Sequence, residues 1–220
     1  MPTGIGRDEL QTLTGQGAQL VEVLPAGDYQ WAHLPGAVSL PLKELDGRAG
    51  QLDRSRPVIV YCHDSLCDMS PRAAWRLEAA GFSPVYDYAA GKADWLAADL
   101  PFQGTAELAG TFTRRGVATV AETTPAAEAL RMLEAQRYGP VLVLNQAGVV
   151  MGAAYRDALA GASGKAETAS VMRFGVSTVR PSEDAAALAD RMGHAEVTRV
   201  VVTRSDGTLV GLFFAGDATS

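Results

Sequence analysis

The chain has 220 residues, 47% of them hydrophobic and 20% charged, with a net charge of −6. That apolar content can bury a real core and excludes a disordered or collagen-like chain, and no run approaches the roughly 18 uninterrupted apolar residues of a membrane-crossing helix. Residues 1–104 hold 8 Lys/Arg against 13 Asp/Glu and the remainder 11 against 12, so neither half has the basic stripe that nucleic acid or an anionic membrane would require of a partner.

The N-terminal MPTGIGRDELQTLTG has no basic stretch leading into an apolar run, so no signal peptide is expected and the expected location is the cytoplasm. QLVEV (19–23) and AVSL (37–40) read as short strands, and PVIVY (57–61) as a strand buried on both faces, since it is continuously apolar and rich in β-branched residues. SPRAAWRLEAAG (70–81) reads as a helix with Ser70 as N-cap, Pro71 at its first position and Gly81 at its end. SPVYDYA (83–89) is a further strand and ADWLAA (93–98) a short helix. This alternation predicts a mainly parallel sheet flanked by helices. Residues 101–115 hold Pro, Gly and Thr without a period, so the domains are placed at 1–104 and 105–220.

Cys62 and Cys67 are the only cysteines. They are too few for a disulfide scaffold. With His63 between them and His33 and His194 remote, they are also too few for a zinc site, so no metal is expected. Two cysteines on one short loop point instead to thiol chemistry. Cys62 follows the buried strand directly and a helix starts about eight residues later. Such a loop is expected to aim N–H groups and a helix N-terminus at the sulfur, lowering its pKa. The bland alternative is an inert cysteine at a strand end.

Here the chain resembles the rhodanese (sulfurtransferase) family. The resemblance rests on L-V-E-V-L-P-A-G-D-Y-Q-W-A-H-L-P-G-A (20–37), Tyr61-Cys62, Arg72-Ala73-Ala74, Gly81-Phe82 and V-Y-D-Y-A-A-G-K-A-D-W (85–95). It implies an α/β fold with a mainly parallel five-stranded sheet and a Cys62 that carries sulfane sulfur as a persulfide, with no cofactor required. His63, Asp64, Ser65, Leu66, Cys67 and Arg72 would then form the substrate-binding loop. Two departures stand out. Glu22-Val23-Leu24 lacks the family's usual arginine, and Cys67 occupies the loop position where another arginine is usual. Counting from Cys67 instead, Arg72 fits the Cys-x4-Arg spacing, but Cys62 abuts the strand. An enlarged phosphatase loop would need a guanidinium where Asp68 stands. The acids Asp64 and Asp68 disfavour a dianionic donor such as thiosulfate, which favours a persulfide donor and a thiol acceptor. Cys67 either resolves the persulfide as a disulfide or simply fills a loop position, and Arg72 either pairs with a bound anion or is a solvated helix residue. The rival function is a non-catalytic sensor or interaction module.

The second half repeats itself at an offset of 59 residues. VATV (117–120) matches VSTV (176–179), Val141 matches Val200, Gly148 matches Gly207 and Gly152 matches Gly211. Each copy, about 110–162 and 169–219, reads as β-α-β-β, followed in the first by a second helix. The repeat resembles a pair of CBS domains, on the T-V openings, the A-G and D-G turns and the M-G and V-G that follow. The resemblance implies a paired module, a homodimer through it, a possible adenosine nucleotide, and regulation of the sulfurtransferase half by the pair. In the Gly-h-h-Thr-x-x-Asp signature, Tyr155 and Phe214 replace the hydroxyl, Asp217 keeps the carboxylate, Asp157 comes one position early, and Arg156 could meet a phosphate. The alternative for both acids is a helix-end charge satisfying the dipole.

Overall fold

The computed structural model describes residues 1–136 and 139–218, and the chain divides into the units Met1–Ala106 and Glu107–Ser220. The first unit runs β1 (Thr3–Gly4), α1 (Arg7–Gly15), β2 (Gln19–Glu22), α2 (Ala26–Trp31), β3 (Val38–Ser39), α3 (Leu45–Arg48), β4 (Val58–Tyr61), α4 (Met69–Ala79), β5 (Val85–Tyr88) and α5 (Gly91–Ala97). Its sheet has the order β1-β5-β4-β2-β3, and every pair is parallel. Parallel neighbours need crossovers, which the helices supply, and helices on both faces explain why all four residues of β4 are buried. Val58, Val60 and Cys62 pack with Ala73, Ala74 and Leu77 of α4 on one side, while Ile59 and Tyr61 alternate to the other.

The expected parallel sheet and its central strands are present. Strand β1 and helix α1 were not expected: two residues carry no period, and α1 buries only Leu10. The helix expected from Ser70 starts at Met69 with Asp68 at its N-cap. Ser70 is fully buried inside the first turn, so it is not a cap. Gly81 adopts φ +88°, the left-handed stop expected of it.

The second unit runs α6 (Ala109–Phe112), β6 (Thr119–Ala121), α7 (Ala126–Ala135), β7 (Val141–Leu144), β8 (Val150–Ala154), α8 (Arg156–Gly161), β9 (Arg173–Phe174), β10 (Thr178–Val179), α9 (Ala185–His194), β11 (Arg199–Thr203) and β12 (Leu209–Phe214). It holds two sheets, β6-β7-β8-β9 and β10-β11-β12. The repeat is carried down to register. Val141 pairs with Ala154 and Val200 with Phe213, and both copies shift register after the equivalent residues Val143 and Val202.

The linkers cross over. Arg114, ahead of the first strand of the first copy, pairs with Leu212 in the second, and Arg173, at the equivalent place in the second, pairs with Ala153 in the first. Leu108 bridges Asp184 and Glu167 bridges Pro125 at the same offset. Neither copy could bury its apolar face alone. Leu142 and Ala153 meet Val201 and Leu212 in a shared core. Among the described residues no helix is long and apolar enough to cross a membrane.

Candidate functional site

Strand β4 delivers Cys62 to its carboxyl end, and α5 abuts the same point. The Cys62 and His63 carbonyls accept from the N–H groups of Lys92 (3.1 Å) and Ala93 (2.9 Å). Gly91, at φ +64°, makes this approach possible: a Cβ there would lie 2.6 Å from both carbonyl oxygens. The loop then turns back on Asp64. Its carboxylate accepts from the Leu66 N–H (2.9 Å), and its carbonyl accepts from the Cys67 N–H (3.1 Å). Cys67 is thereby brought over Cys62. The Cys62 sulfur lies 3.4 Å from the Cys67 carbonyl oxygen and 3.3 Å from the Ser70 hydroxyl, with the Asp64 carbonyl at 3.9 Å.

This geometry corrects the expected thiolate cradle. The sulfur faces the Cys67 and Asp64 carbonyl oxygens as well as Ser70, and its side chain is fully buried. Burial, then the neighbouring Cys67 thiol, push the Cys62 thiol up to about 11, and the Ser70 hydroxyl and backbone N–H only partly counter them. In this arrangement the loop holds a neutral thiol. Behind Ser70 lies Asp87 of β5, whose buried carboxyl is raised by desolvation and lowered by its hydrogen bond with Ser70.

Beneath the loop a buried ion pair braces the sheet. The Lys92 ammonium donates to Glu22 Oε1 (2.7 Å) and to the carbonyls of Asp28 (2.9 Å) and Ala32 (2.6 Å), so all its protons are used. Burial raises the Glu22 carboxyl; Lys92 and the Tyr61 hydroxyl hold it down. Leu24, where the family has arginine, is buried in the same apolar cluster as Cys62.

The other loop residues are dispersed. His63 and Ser65 are exposed, and the His63 ring lies 4.0 Å from the Asp64 carboxylate. Leu66 at the apex is 94% exposed. Arg72 pairs with Asp68 (3.5 Å) on the outside of α4. It borders a cavity of about 340 Å³ whose walls include Pro25, Leu42, Lys43, Met69 and Arg76. Asp87, Gly91 and the Glu22–Lys92 pair escape the sequence reading, and Ser70 enters it only as a helix cap. The A-A-G-K run was the available signal for Gly91, while nothing local marks the others.

In the second unit the nucleotide-signature positions are filled by the chain itself. Arg114 makes a two-pronged bond to Asp217 (2.8 and 2.6 Å) and stacks over Phe214, 4.5 Å from its centroid. At the 59-residue offset, Arg173 stacks over Tyr155 (4.8 Å) and lies 4.0 Å from Asp157. Arg156 pairs with Glu134 (3.0 Å). A cavity of about 220 Å³ adjoins Tyr155, Ser177 and Arg199, but neither Arg156 nor Asp157 lines it. The expected ribose and phosphate contacts therefore do not fit an adenosine nucleotide: aromatics stand where the hydroxyl belongs, and Asp217 already serves an arginine. The repeat offset was the signal that could have paired Arg114 with Arg173. Among the described residues no cluster of His, Cys, Asp and Glu could hold a metal.

A family model described as rhodanese-like domain matches residues 7–98, and one described as CBS domain matches 109–164 and 169–219. The thiosulfate sulfurtransferase GlpE of Pseudomonas savastanoi pv. phaseolicola is 33% identical over 90 residues, spanning 41% of this chain and 83% of that protein. An HTH-type transcriptional regulator of Mycobacterium tuberculosis is 37% identical over 82 residues, 37% of this chain, and the match spans only 36% of the regulator's length. The solved CBS domains of a transcriptional regulator from Streptococcus pneumoniae are 24% identical with a TM-score of 0.46, covering 52% of this chain and 98% of their own.

Proposed function

The chain belongs to the rhodanese-like family through residues 7–98 and carries a CBS pair over 109–164 and 169–219, and on that premise we propose that it is a sulfurtransferase whose Cys62 carries sulfane sulfur as a persulfide. The observation that carries this is Cys62 itself: a thiol at the end of the central strand, enclosed by its own loop and bonded to Ser70 in the first turn of α4. Because the closed loop stabilises the neutral thiol, loading belongs to an opened loop, in which Cys62 loses its carbonyl neighbours and its desolvation. The Asp64 and Asp68 carboxylates favour a persulfide donor over thiosulfate, although the relative at 33% identity is named for thiosulfate. The acceptor is a thiol.

The CBS pair serves assembly in this proposal, joining two chains through residues 106–220, and does not sense a nucleotide. Free thiols at both cysteines suit a reducing compartment such as the cytoplasm. Neither nucleic acid nor a membrane is a partner. Intact mass spectrometry of the full chain after exposure to thiosulfate and, separately, to a low-molecular-weight persulfide tests the proposal. In a Cys67→Ser background one sulfur atom gained from the persulfide is expected, and none by Cys62→Ser. A Cys67→Ser chain that gains none from either donor overturns it. Light scattering on the full chain tests the dimer, with a monomer as the contrary result.

One observation favours a second reading, in which the first unit is a binding or sensing module. Cys62 is fully buried, with its pKa pushed up to about 11, and a similar segment occurs in a transcriptional regulator. The same mass measurement separates the two.

A further inference from the structure

Given a persulfide on Cys62, the question is which nucleophile meets it first. Once the loop has closed, Cys62 is fully buried. An external thiol would have to displace the turn built on Asp64. Cys67 is already inside that turn: its carbonyl lies 3.4 Å from the Cys62 sulfur, and its thiol is close enough to push the Cys62 thiol up. Cys67 is half-buried and packs against the apolar cluster that contains Cys62. The other side chain on the sulfur is the Ser70 hydroxyl, a far poorer nucleophile towards sulfur.

We infer that Cys67 is a catalytic residue that resolves the Cys62 persulfide, so that the chain converts a sulfane sulfur to hydrosulfide within its own loop. The inference rests on the persulfide proposed above. The steps balance as follows. Cys62 thiolate attacks the terminal sulfur of a donor persulfide, forming Cys62–S–SH and releasing the donor as its thiolate. Cys67 loses its proton to solvent, and its thiolate attacks the inner sulfur of Cys62–S–SH. A Cys67–Cys62 sulfur bond forms, the bond to the outer sulfur breaks, and that sulfur leaves with the electron pair as hydrosulfide. The two cysteine sulfurs are together oxidised by two electrons and the sulfane sulfur is reduced by two. Hydrosulfide is the conjugate base of a stronger acid than an alkyl thiol, which makes it the better leaving group. Two molecules of a low-molecular-weight thiol then reduce the disulfide, restoring both thiols and becoming a disulfide themselves. Without such a thiol the cycle stops after one turnover.

The test uses the full chain, one equivalent of a low-molecular-weight persulfide, and no added reductant. Released sulfide is trapped and counted, and the chain is alkylated and weighed. Wild type is expected to release one sulfide per chain and to end with a Cys62–Cys67 disulfide that resists alkylation. Cys67→Ser and Cys67→Ala are expected to retain the extra sulfur on Cys62 and lose the release. A wild-type chain that keeps the extra sulfur with Cys67 free to alkylate overturns the inference while leaving the persulfide proposal intact. So does release by both Cys67 variants at the wild-type rate. If neither wild type nor variants ever gain sulfur or form the disulfide, the persulfide proposal fails and the inference with it.

Discussion

The two units depart from their families' patterns in opposite ways. In the second, each departure is compensated: the aromatic that replaces a hydroxyl is covered by an arginine from the crossing linker, and Asp217 is engaged by the same arginine. In the first, losing an arginine leaves something chemically live. Leu24 takes one arginine position and packs into the core, but Cys67 takes another and sets a second thiol against the first. Compensated substitutions build a stable scaffold, whereas the uncompensated one concentrates reactivity at a loop. All three tryptophans, Trp31, Trp75 and Trp95, lie in the first unit, so their fluorescence follows it alone and lets the comparison be tested in the intact chain.

The largest effect is expected beneath the loop. Lys92→Met strands the Glu22 carboxylate in a fully buried site, which should cost about 3–5 kcal/mol. The urea midpoint read by tryptophan fluorescence should fall steeply. A double variant Glu22→Gln, Lys92→Met removes both charges and should recover much of the loss. A single variant with the wild-type midpoint would show that the pair braces nothing.

Next comes the thiol. With Cys62 raised to about 11, its protonated form is favoured at neutral pH. Alkylation in a Cys67→Ser background should then climb about tenfold per pH unit and continue past pH 10. Near pH 7.5 the rate should be up to a few hundred-fold below that of a free thiol of pKa about 8.5, less the part of the rise that Cys67 itself supplies. A plateau near pH 8 would mean that the closed loop is not the resting state.

A third substitution probes the crossing linkers. A Cβ at Gly211 would lie 2.2 Å from the Arg114 carbonyl oxygen, and one at Gly152 would lie 2.5 Å from that of Arg173. Backbone cannot yield cheaply there, so Gly211→Ala should destabilise the second unit by about 1–3 kcal/mol. Circular dichroism should show an earlier loss of structure while the tryptophan transition stays put. A shift in the tryptophan signal of equal size would argue that the units unfold as one.

How much of this was legible depends on the scale of the pattern. The β4 run announced a doubly buried strand because every one of its residues is apolar, and the 59-residue offset announced a duplicated module that the register then repeats. Side-chain orientation was not legible. Ser70 has the composition of a cap but sits one residue inside the helix, because Asp68 takes the N-cap position. The sulfur's carbonyl neighbours follow from a turn on Asp64 that strand–loop–helix order does not dictate. Lys92 pairs with Glu22 across 70 residues of chain, a contact that only the closed sheet creates.

The smallest effects should separate the two copies of the repeat. Arg114 and Asp217 are 41% and 28% exposed and joined by two bonds, whereas Arg173 and Asp157 are 69% and 77% exposed and 4.0 Å apart. An ion pair held in two-pronged geometry over a ring keeps part of its energy near the surface, while a solvated pair at that distance is largely screened. Arg114→Ala should therefore cost about 1 kcal/mol, and Arg173→Ala less than about 0.5 kcal/mol. Both would be read by circular dichroism at a fixed urea increment. The ion pair of the first copy is thus the more open of the two. Calorimetry with AMP, ADP and ATP is expected to show no heat with wild type. Saturable heat with any of the three would overturn the assignment of the pair to assembly alone.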